Sequence, residues 1–154
     1  MAFGFQKPYP RTFEAWTLDP DGPPDGRNFR FLEPLIYLTK SGKLIRSEIG
    51  GLTDGGSVPR ETFNILAPFD WWMAFSLHDF LYKDQVELYA EANQAWNHCT
   101  FDEAEANLIL DEALESRGCP FLERIAIFDA LKAFGKTAFN DDRTSAPMPT
   151  KVPC

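Results

Sequence analysis

The sequence predicts an α+β fold in which an N-terminal, hairpin-based antiparallel sheet packs on three to five C-terminal helices. Up to residue 49, short apolar and aromatic runs alternate with turns rich in proline and glycine, which is typical of strands. From residue 71 onward, apolar residues recur at spacings of three and four, which is typical of amphipathic helices. We therefore expect one domain over residues 1–139, followed by an extended Pro-rich tail over residues 140–154.

The composition is that of an acidic globular protein. The chain has 154 residues, of which 44% are hydrophobic, so it can bury a full core without disulfide or metal staples. Its 15 basic and 23 acidic residues give a net charge of −8, which disfavours binding to a phosphate backbone, so we expect no nucleic-acid partner. No apolar run approaches the roughly 20 residues of a membrane span, and the start lacks signal-peptide features, so we expect no transmembrane segment.

The cysteines are few and far apart. Cys99, Cys119 and Cys154 are odd in number and form no C-x-x-C motif. This pattern argues against a disulfide framework and favours assembly in a reducing compartment. His98 and Cys99 could be combined with Cys119 and His78 into a zinc site, but the spacing matches no common zinc pattern, and we do not expect one.

The N-terminal half is expected to form the strands. Residues 12–18 alternate loosely between apolar and polar side chains, which suits a first strand, and residues 28–32 suit a second. A β-hairpin is expected over residues 35–49, because a Lys-Ser-Gly turn joins two runs with strand character.

The C-terminal half is expected to form most of the helices. Apolar spacing and capping residues predict helices over residues 59–66, 71–85, 86–98, 100–117 and 120–135. Asp70 is expected to cap the second of these helices, a capping box to open the fourth, and Gly118 to end it.

The side chains that could carry chemistry centre on His78, one of two histidines. On a helix, His78 and Tyr82 share one face, and Asp79 lies about 100° round from His78. His78 could be a general base or a metal ligand, because imidazole titrates near neutral pH, and Asp79 could orient it or hold a cation. The alternative is a core histidine bonded to a carbonyl or a neighbouring helix, with Tyr82 as a core aromatic residue.

A glycine-rich segment ends about twenty residues before His78. It begins with Gly50 and Gly51 and continues through Gly55 and Gly56, so it has four glycines in seven residues. Such a segment lets backbone groups converge on an anion or present carbonyls to a hard cation. The alternative is a plain strand-to-helix connection in which Asp54 bonds its own turn.

Three short motifs along the chain together resemble one protein family. They are Thr53-Asp54-Gly55-Gly56-Ser57-Val58-Pro59-Arg60, His78-Asp79-Phe80-Leu81-Tyr82 and Ala104-Glu105-Ala106-Asn107. The chain resembles a small family of unknown function, found mainly in tailed bacteriophages and prophages, whose pattern is T-D-G-[AG]-S-[IV]-P-R, H-D-x-x-Y and a later A-D. The likeness covers roughly residues 30–135. Asn107 departs from the pattern, because the family tends to have Asp there.

A looser likeness is to the secreted and parvoviral phospholipases A2, which also place a glycine-rich calcium loop about twenty residues before an H-D-x-x-Y helix. This resemblance implies that His78 deprotonates water, that Asp79 binds Ca²⁺, and that the ion stabilises the ester oxyanion. It implies that Tyr82 and Asn107 support His78 from behind. Three backbone carbonyls would complete the calcium site, those of Gly51, Gly55 and Gly56.

Two functions of different classes follow from these resemblances. The first is a virion-associated protein of a tailed bacteriophage, a tail or neck structural component that is made in the host cytoplasm. It would dock onto other phage structural proteins through residues 1–10 and 140–154 and form part of an oligomeric assembly. The alternative is a calcium-dependent hydrolase that acts on a lipid or another cell-envelope substrate. The sequence favours the first, because an amide replaces the family's carboxylate at position 107.

Overall fold

The computed structural model describes residues 2–10, 13–16, 28–53 and 71–144. Within these ranges the chain forms strands and then helices, with one hairpin between the first helix and the second. The elements are β1 (Gly4–Phe5), β2 (Phe13–Trp16), β3 (Asn28–Phe31), β4 (Ile36–Leu38), β5 (Leu44–Ser47), β6 (Leu52–Thr53), α1 (Trp72–Tyr82), β7 (Val86–Ala90), β8 (Ala95–His98), α2 (Glu103–Ser116) and α3 (Phe121–Thr144).

Two antiparallel sheets hold these strands. The larger sheet has the order β1-β4-β5-β7-β8, and the smaller one has the order β2-β3-β6. The predicted hairpin over residues 35–49 is confirmed: β4 and β5 pair with Tyr37 opposite Ile45. Gly42 stands in the connecting turn with a φ of 88°, a conformation that glycine adopts without steric cost. The α+β class is therefore confirmed.

Residues 86–98 form a β-hairpin, so the helix predicted there is wrong. β7 pairs with β5 on one side and with β8 on the other, and Tyr89 stands opposite Trp96. The turn between them includes Gln94, whose φ is 51°. The apolar spacing in this short segment fits a helix as well as a hairpin, and two interactions between strands favour the hairpin. β7 satisfies the backbone groups along the edge of β5, and aromatic side chains pack well across strands.

The helix boundaries differ from the predictions in two places. α2 begins at Glu103 and not at residue 100, where the helix was expected to begin, and its cap is Asp102, whose carboxylate accepts a hydrogen bond from the Glu105 amide at 2.8 Å. α3 continues to Thr144, so the first five residues of the expected tail are helical. The predicted end of α2 is confirmed, since Gly118 has a φ of 85° there. The helix predicted over residues 59–66, the Asp70 cap and the rest of the tail lie outside the described residues.

The N-terminal segment contributes to the chain's own sheet. Gly4 and Phe5 pair with β4, and the ring of Phe5 meets that of Tyr37 with centroids 5.0 Å apart. These contacts explain the aromatic character of the segment without a partner protein. Docking of residues 1–10 onto other proteins stays a prediction.

The cysteines also differ from expectation. Cys99 is disulfide-bonded, whereas Cys119 is a free, buried thiol. The sequence argued against disulfides because of the odd, scattered cysteines. Spacing along the chain does not show which sulfur atoms meet in space, and a disulfide can form only where two of them do.

The core lies between the larger sheet, α1 and α2. The inner face of the sheet contributes Tyr37, Ile45 and Val86, each with no exposed area. Every residue of α1 from Met73 to Tyr82 is buried. A helix that is enclosed on all sides is the centre of a core rather than its cover, so the polar residues of α1 lie deep in the protein. No helix in the described ranges is long and apolar enough to cross a membrane.

We expect Gly51→Ala to lower the free energy of unfolding, because α1 packs directly on that glycine. A Cβ atom at position 51 would lie 3.0 Å from Cε1 of Phe80 and 3.1 Å from the Glu48 carbonyl oxygen. Overpacking of this kind costs about 1–3 kcal/mol, which urea unfolding can measure. In a Phe80→Leu background the same substitution should cost less. An equal cost in both backgrounds would show that the ring contact is not the cause.

Candidate functional site

α1 directs His78 and Tyr82 towards Asn107 on α2. The Nε2 atom of His78 lies 2.8 Å from Oδ1 of Asn107, and the Tyr82 hydroxyl donates to the same oxygen at 2.7 Å. The two rings contact each other, with centroids 4.0 Å apart. Because residues four apart lie on one side of a helix, a single turn of α1 can present both groups to one acceptor. The structure thus brings three of the predicted site residues together.

These hydrogen bonds define the tautomer of His78. The amide oxygen of Asn107 accepts hydrogen bonds and cannot donate them, so the proton in the contact belongs to Nε2 of His78. A neutral imidazole that is protonated on Nε2 carries its lone pair on Nδ1. In the ranges that the structure describes, Nε2 is the only ring nitrogen of His78 with a hydrogen bond. Nδ1 is therefore the atom that can accept a proton.

The surroundings keep His78 uncharged at neutral pH. The residue is 6% exposed. Burial lowers its pKa to about 4, and the hydrogen bond to Asn107 opposes this shift only in part. An imidazolium here would lose most of its hydration, and the neutral amide of Asn107 has no negative charge to compensate for that loss. At pH 7 the ring is in the form that a general base requires.

Asp79 faces a different part of the protein. Its Oδ2 atom accepts a hydrogen bond from Oγ1 of Thr53 on β6 at 2.7 Å. Both residues are buried, with 4% of Asp79 and 1% of Thr53 exposed. Neighbouring positions on a helix point about 100° apart, so His78 reaches α2 while Asp79 reaches the smaller sheet. The partner that orients His78 is Asn107 and not Asp79.

A calcium site at Asp79 would need six to eight oxygen ligands, by general experience with this ion. Oδ2 of Asp79 already bonds Thr53, and the carbonyl of Gly51 accepts the Phe31 amide at 3.0 Å. Within the described ranges no three His, Cys, Asp or Glu side chains form a group that could hold a metal. Of the predicted calcium ligands, the described residues supply one carboxylate, that of Asp79, and one carbonyl, that of Gly51. The remaining motif residues lie outside the described ranges, namely Asp54, Gly55, Gly56, Ser57 and Arg60.

Asn107 also reaches a surface cleft between α2 and α3. The cleft has a volume of about 380 Å³ and is lined by Glu103, Ala104, Asn107, Leu108 and Phe128. Oδ1 of Asn107 bonds His78 and Tyr82, while the same side chain lines the cleft. One residue therefore joins the buried pair to the surface.

Sequence reasoning missed two parts of this arrangement. Thr53 was a motif residue without a role, and its bond to Asp79 joins positions 26 residues apart. The cleft was also missed, although it has a signal in the sequence: Leu108 is apolar but lies off the face of α2 that carries Ala106, Leu110 and Ala113. In the structure Leu108 is 60% exposed.

We expect His78 to destabilise the fold in acid. Its pKa is about 4 in the folded protein against 6.5 for the unperturbed group, so the unfolded chain binds the extra proton between these values. Stability is unaffected above pH 6.5, falls as the pH is lowered, and levels off below pH 4 after a loss of about 3 kcal/mol. Urea unfolding as a function of pH should show this loss in the parent protein and in His98→Gln. It should be absent in His78→Gln, and equal pH dependence in all three proteins would contradict the expectation.

Comparison with known families identifies the family to which the chain belongs. Residues 29–131 match a family described as protein of unknown function (DUF1353). The matched range includes Thr53, the His78 motif and Asn107. No curated protein and no solved structure matches the chain. Because the match covers well over half of the sequence, the protein belongs to the DUF1353 family of proteins of unknown function.

Proposed function

We propose that this protein is a hydrolase in which His78 acts as the general base. The observation that supports the proposal is the hydrogen bonding of His78: Nε2 is held by Asn107, and Nδ1 is left to accept a proton. Tyr82 bonds the same oxygen and restricts the movement of both partners. General-base catalysis needs a fixed ring, a defined tautomer and an unprotonated form at the working pH, and all three conditions are met here.

In the proposed reaction, Nδ1 of His78 takes a proton from water while the water oxygen attacks the acyl carbon of an ester. The C–O bond to the leaving group then breaks, and the imidazolium returns the proton to the departing oxygen. Tyr82 and Asn107 are positioning residues, since they hold the ring behind its reacting atom. The neutral amide of Asn107 stabilises the imidazolium less than a carboxylate would, so we expect a slower reaction than a His–Asp pair allows.

The substrate class and the metal come from the resemblance to phospholipases A2. We propose an ester of a lipid or another cell-envelope component as the substrate. We also propose Ca²⁺ at Asp79, where the bound ion would stabilise the oxyanion that forms on the ester. Thr53 would then hold the carboxylate of Asp79 in place from the other side.

A second candidate function is a structural component of a tailed-phage virion. The burial of His78 and Asp79 favours it, because both side chains then serve to lock α1 to its neighbours. The association with phages is supported by the motifs that the chain shares with a phage and prophage family. In this case the protein would be made in the host cytoplasm and would join other virion proteins, with residues 1–10 and 140–154 as the proposed contacts. The two functions are compatible, since an enzyme can be carried in a particle.

Hydrolysis should depend on His78 and respond to a charge at position 107. We expect His78→Ala to reduce hydrolysis of phospholipid vesicles or a soluble ester at least about 100-fold, while His98→Ala leaves the rate unchanged. In the parent protein kcat/KM should fall only below about pH 4, as His78 becomes protonated. Asn107→Asp should move this fall to higher pH, because a carboxylate raises the pKa of His78. Unchanged hydrolysis in His78→Ala would refute the proposal.

Calcium binding should depend on Asp79. Calorimetry should detect a site of micromolar to millimolar affinity, a general range for calcium sites, that is lost in Asp79→Asn. Asp129→Asn is a matched control, because that carboxylate is 68% exposed and pairs with Lys132. Absence of heat with the parent protein would remove calcium from the proposal. Together with an inactive parent protein, it would favour the structural role, for which the protein should be found in purified particles.

A further inference from the structure

Four large apolar side chains are exposed on the outer side of α2 and α3. They are Leu108, Phe121, Leu122 and Ile125, with exposed fractions of 60%, 67%, 79% and 42%. The three on α3 fall within its first two turns. Leu108 lines the cleft together with Phe128, which is three residues beyond Ile125. We call these four side chains and the cleft the α2–α3 surface.

Ion pairs fix the geometry of this surface. Arg124 on α3 binds Asp111 at 3.3 Å and Glu115 at 2.7 Å, both on α2. Its guanidinium also lies 5.9 Å from the centre of the Phe121 ring. Arg124 is mostly buried, so these contacts hold the two helices together and do not offer a positive charge to a partner. Large exposed apolar clusters on a rigid scaffold are typical of binding sites.

The negative charge near the α2–α3 surface favours a partner with basic side chains. Of the five carboxylates on α2, those of Glu105, Asp111 and Glu115 form ion pairs within the chain. Glu103 lines the cleft itself, so its charge faces a molecule bound there. The whole chain has a net charge of −8, so a second copy would meet strong repulsion at this face. A partner with basic side chains around its apolar anchors would instead be attracted and correctly oriented.

We infer that the α2–α3 surface docks a basic, amphipathic segment of another protein, with one apolar side chain of that segment in the cleft. A groove between two helices accepts such a segment through anchors spaced three and four residues apart. The cleft volume of about 380 Å³ accommodates a large side chain, and Leu108 and Phe128 supply its apolar wall. The amide nitrogen of Asn107 can donate to a carbonyl of the bound segment. This surface is distinct from the catalytic atom proposed above, and its role does not depend on that proposal.

A synthetic peptide of about 18 residues, with leucines at positions i, i+3, i+4 and i+7 and lysines elsewhere, is the probe. Calorimetry should show that Leu122→Ser and Leu108→Ser each weaken its binding by about tenfold, as expected for the loss of an anchor contact. Ile49→Ser is the matched control, because Ile49 is 70% exposed but lies on another part of the chain. It should bind the peptide as tightly as the parent protein does. Circular dichroism checks that each variant is folded.

Five outcomes would overturn the inference. The peptide fails to bind the parent protein, or Ile49→Ser weakens binding as much as Leu122→Ser does. A peptide with glutamates in place of the lysines binds equally well, which would remove the role of charge. Light scattering shows a dimer that Leu122→Ser dissociates, in which case a second copy covers the surface. Phosphatidylcholine vesicles bind through Leu122 in the absence of peptide, in which case the surface meets a membrane.

Discussion

The burial of α1 from Met73 to Tyr82 is the constraint on which the rest of the structure depends. An unpaired buried polar group costs about 1–3 kcal/mol, so most polar side chains on a helix at the centre of a core have a partner. On α1 the exception among the described residues is the Ser76 hydroxyl, which is buried without one. His78, Asp79 and Tyr82 are all buried. Asn107 and Thr53 meet this demand from two different elements. The polar residues thus specify which faces of α1 meet α2 and β6, in addition to the apolar packing.

The hydrogen bonds that Asn107 makes to the buried side chains of α1 also set the basicity of His78. Asn107 accepts two hydrogen bonds without bringing a charge into the core, whereas a carboxylate at this position would have to be desolvated. The amide therefore lowers the desolvation cost of the hydrogen-bond network, and it leaves His78 with a pKa of about 4. A carboxylate would make His78 a stronger base at a greater cost of burial. An amide at position 107 in this sense favours stability over basicity.

Local periodicity predicted the parts of the structure that depend on nearby residues. The spacing of His78 and Tyr82 on one helix face was correct for that reason. Asn107 came from the family resemblance, since nothing local links position 107 to position 78. The hairpin over residues 86–98 was missed because its strands are stabilised by β5, which is distant in sequence. The Thr53–Asp79 bond and the α2–α3 cleft also depend on tertiary contacts that a single sequence does not display.

Asn107 places the proposed base and the α2–α3 surface in physical contact. Its oxygen holds His78 and Tyr82, and its amide nitrogen belongs to the side chain that lines the cleft. Hydrogen bonds in a chain polarise one another, so an acceptor bound to the nitrogen would make the oxygen more negative. The more negative oxygen would in turn favour positive charge on His78 and increase the basicity of Nδ1. A partner whose carbonyl accepted a hydrogen bond from the Asn107 amide would therefore strengthen the base without contacting it.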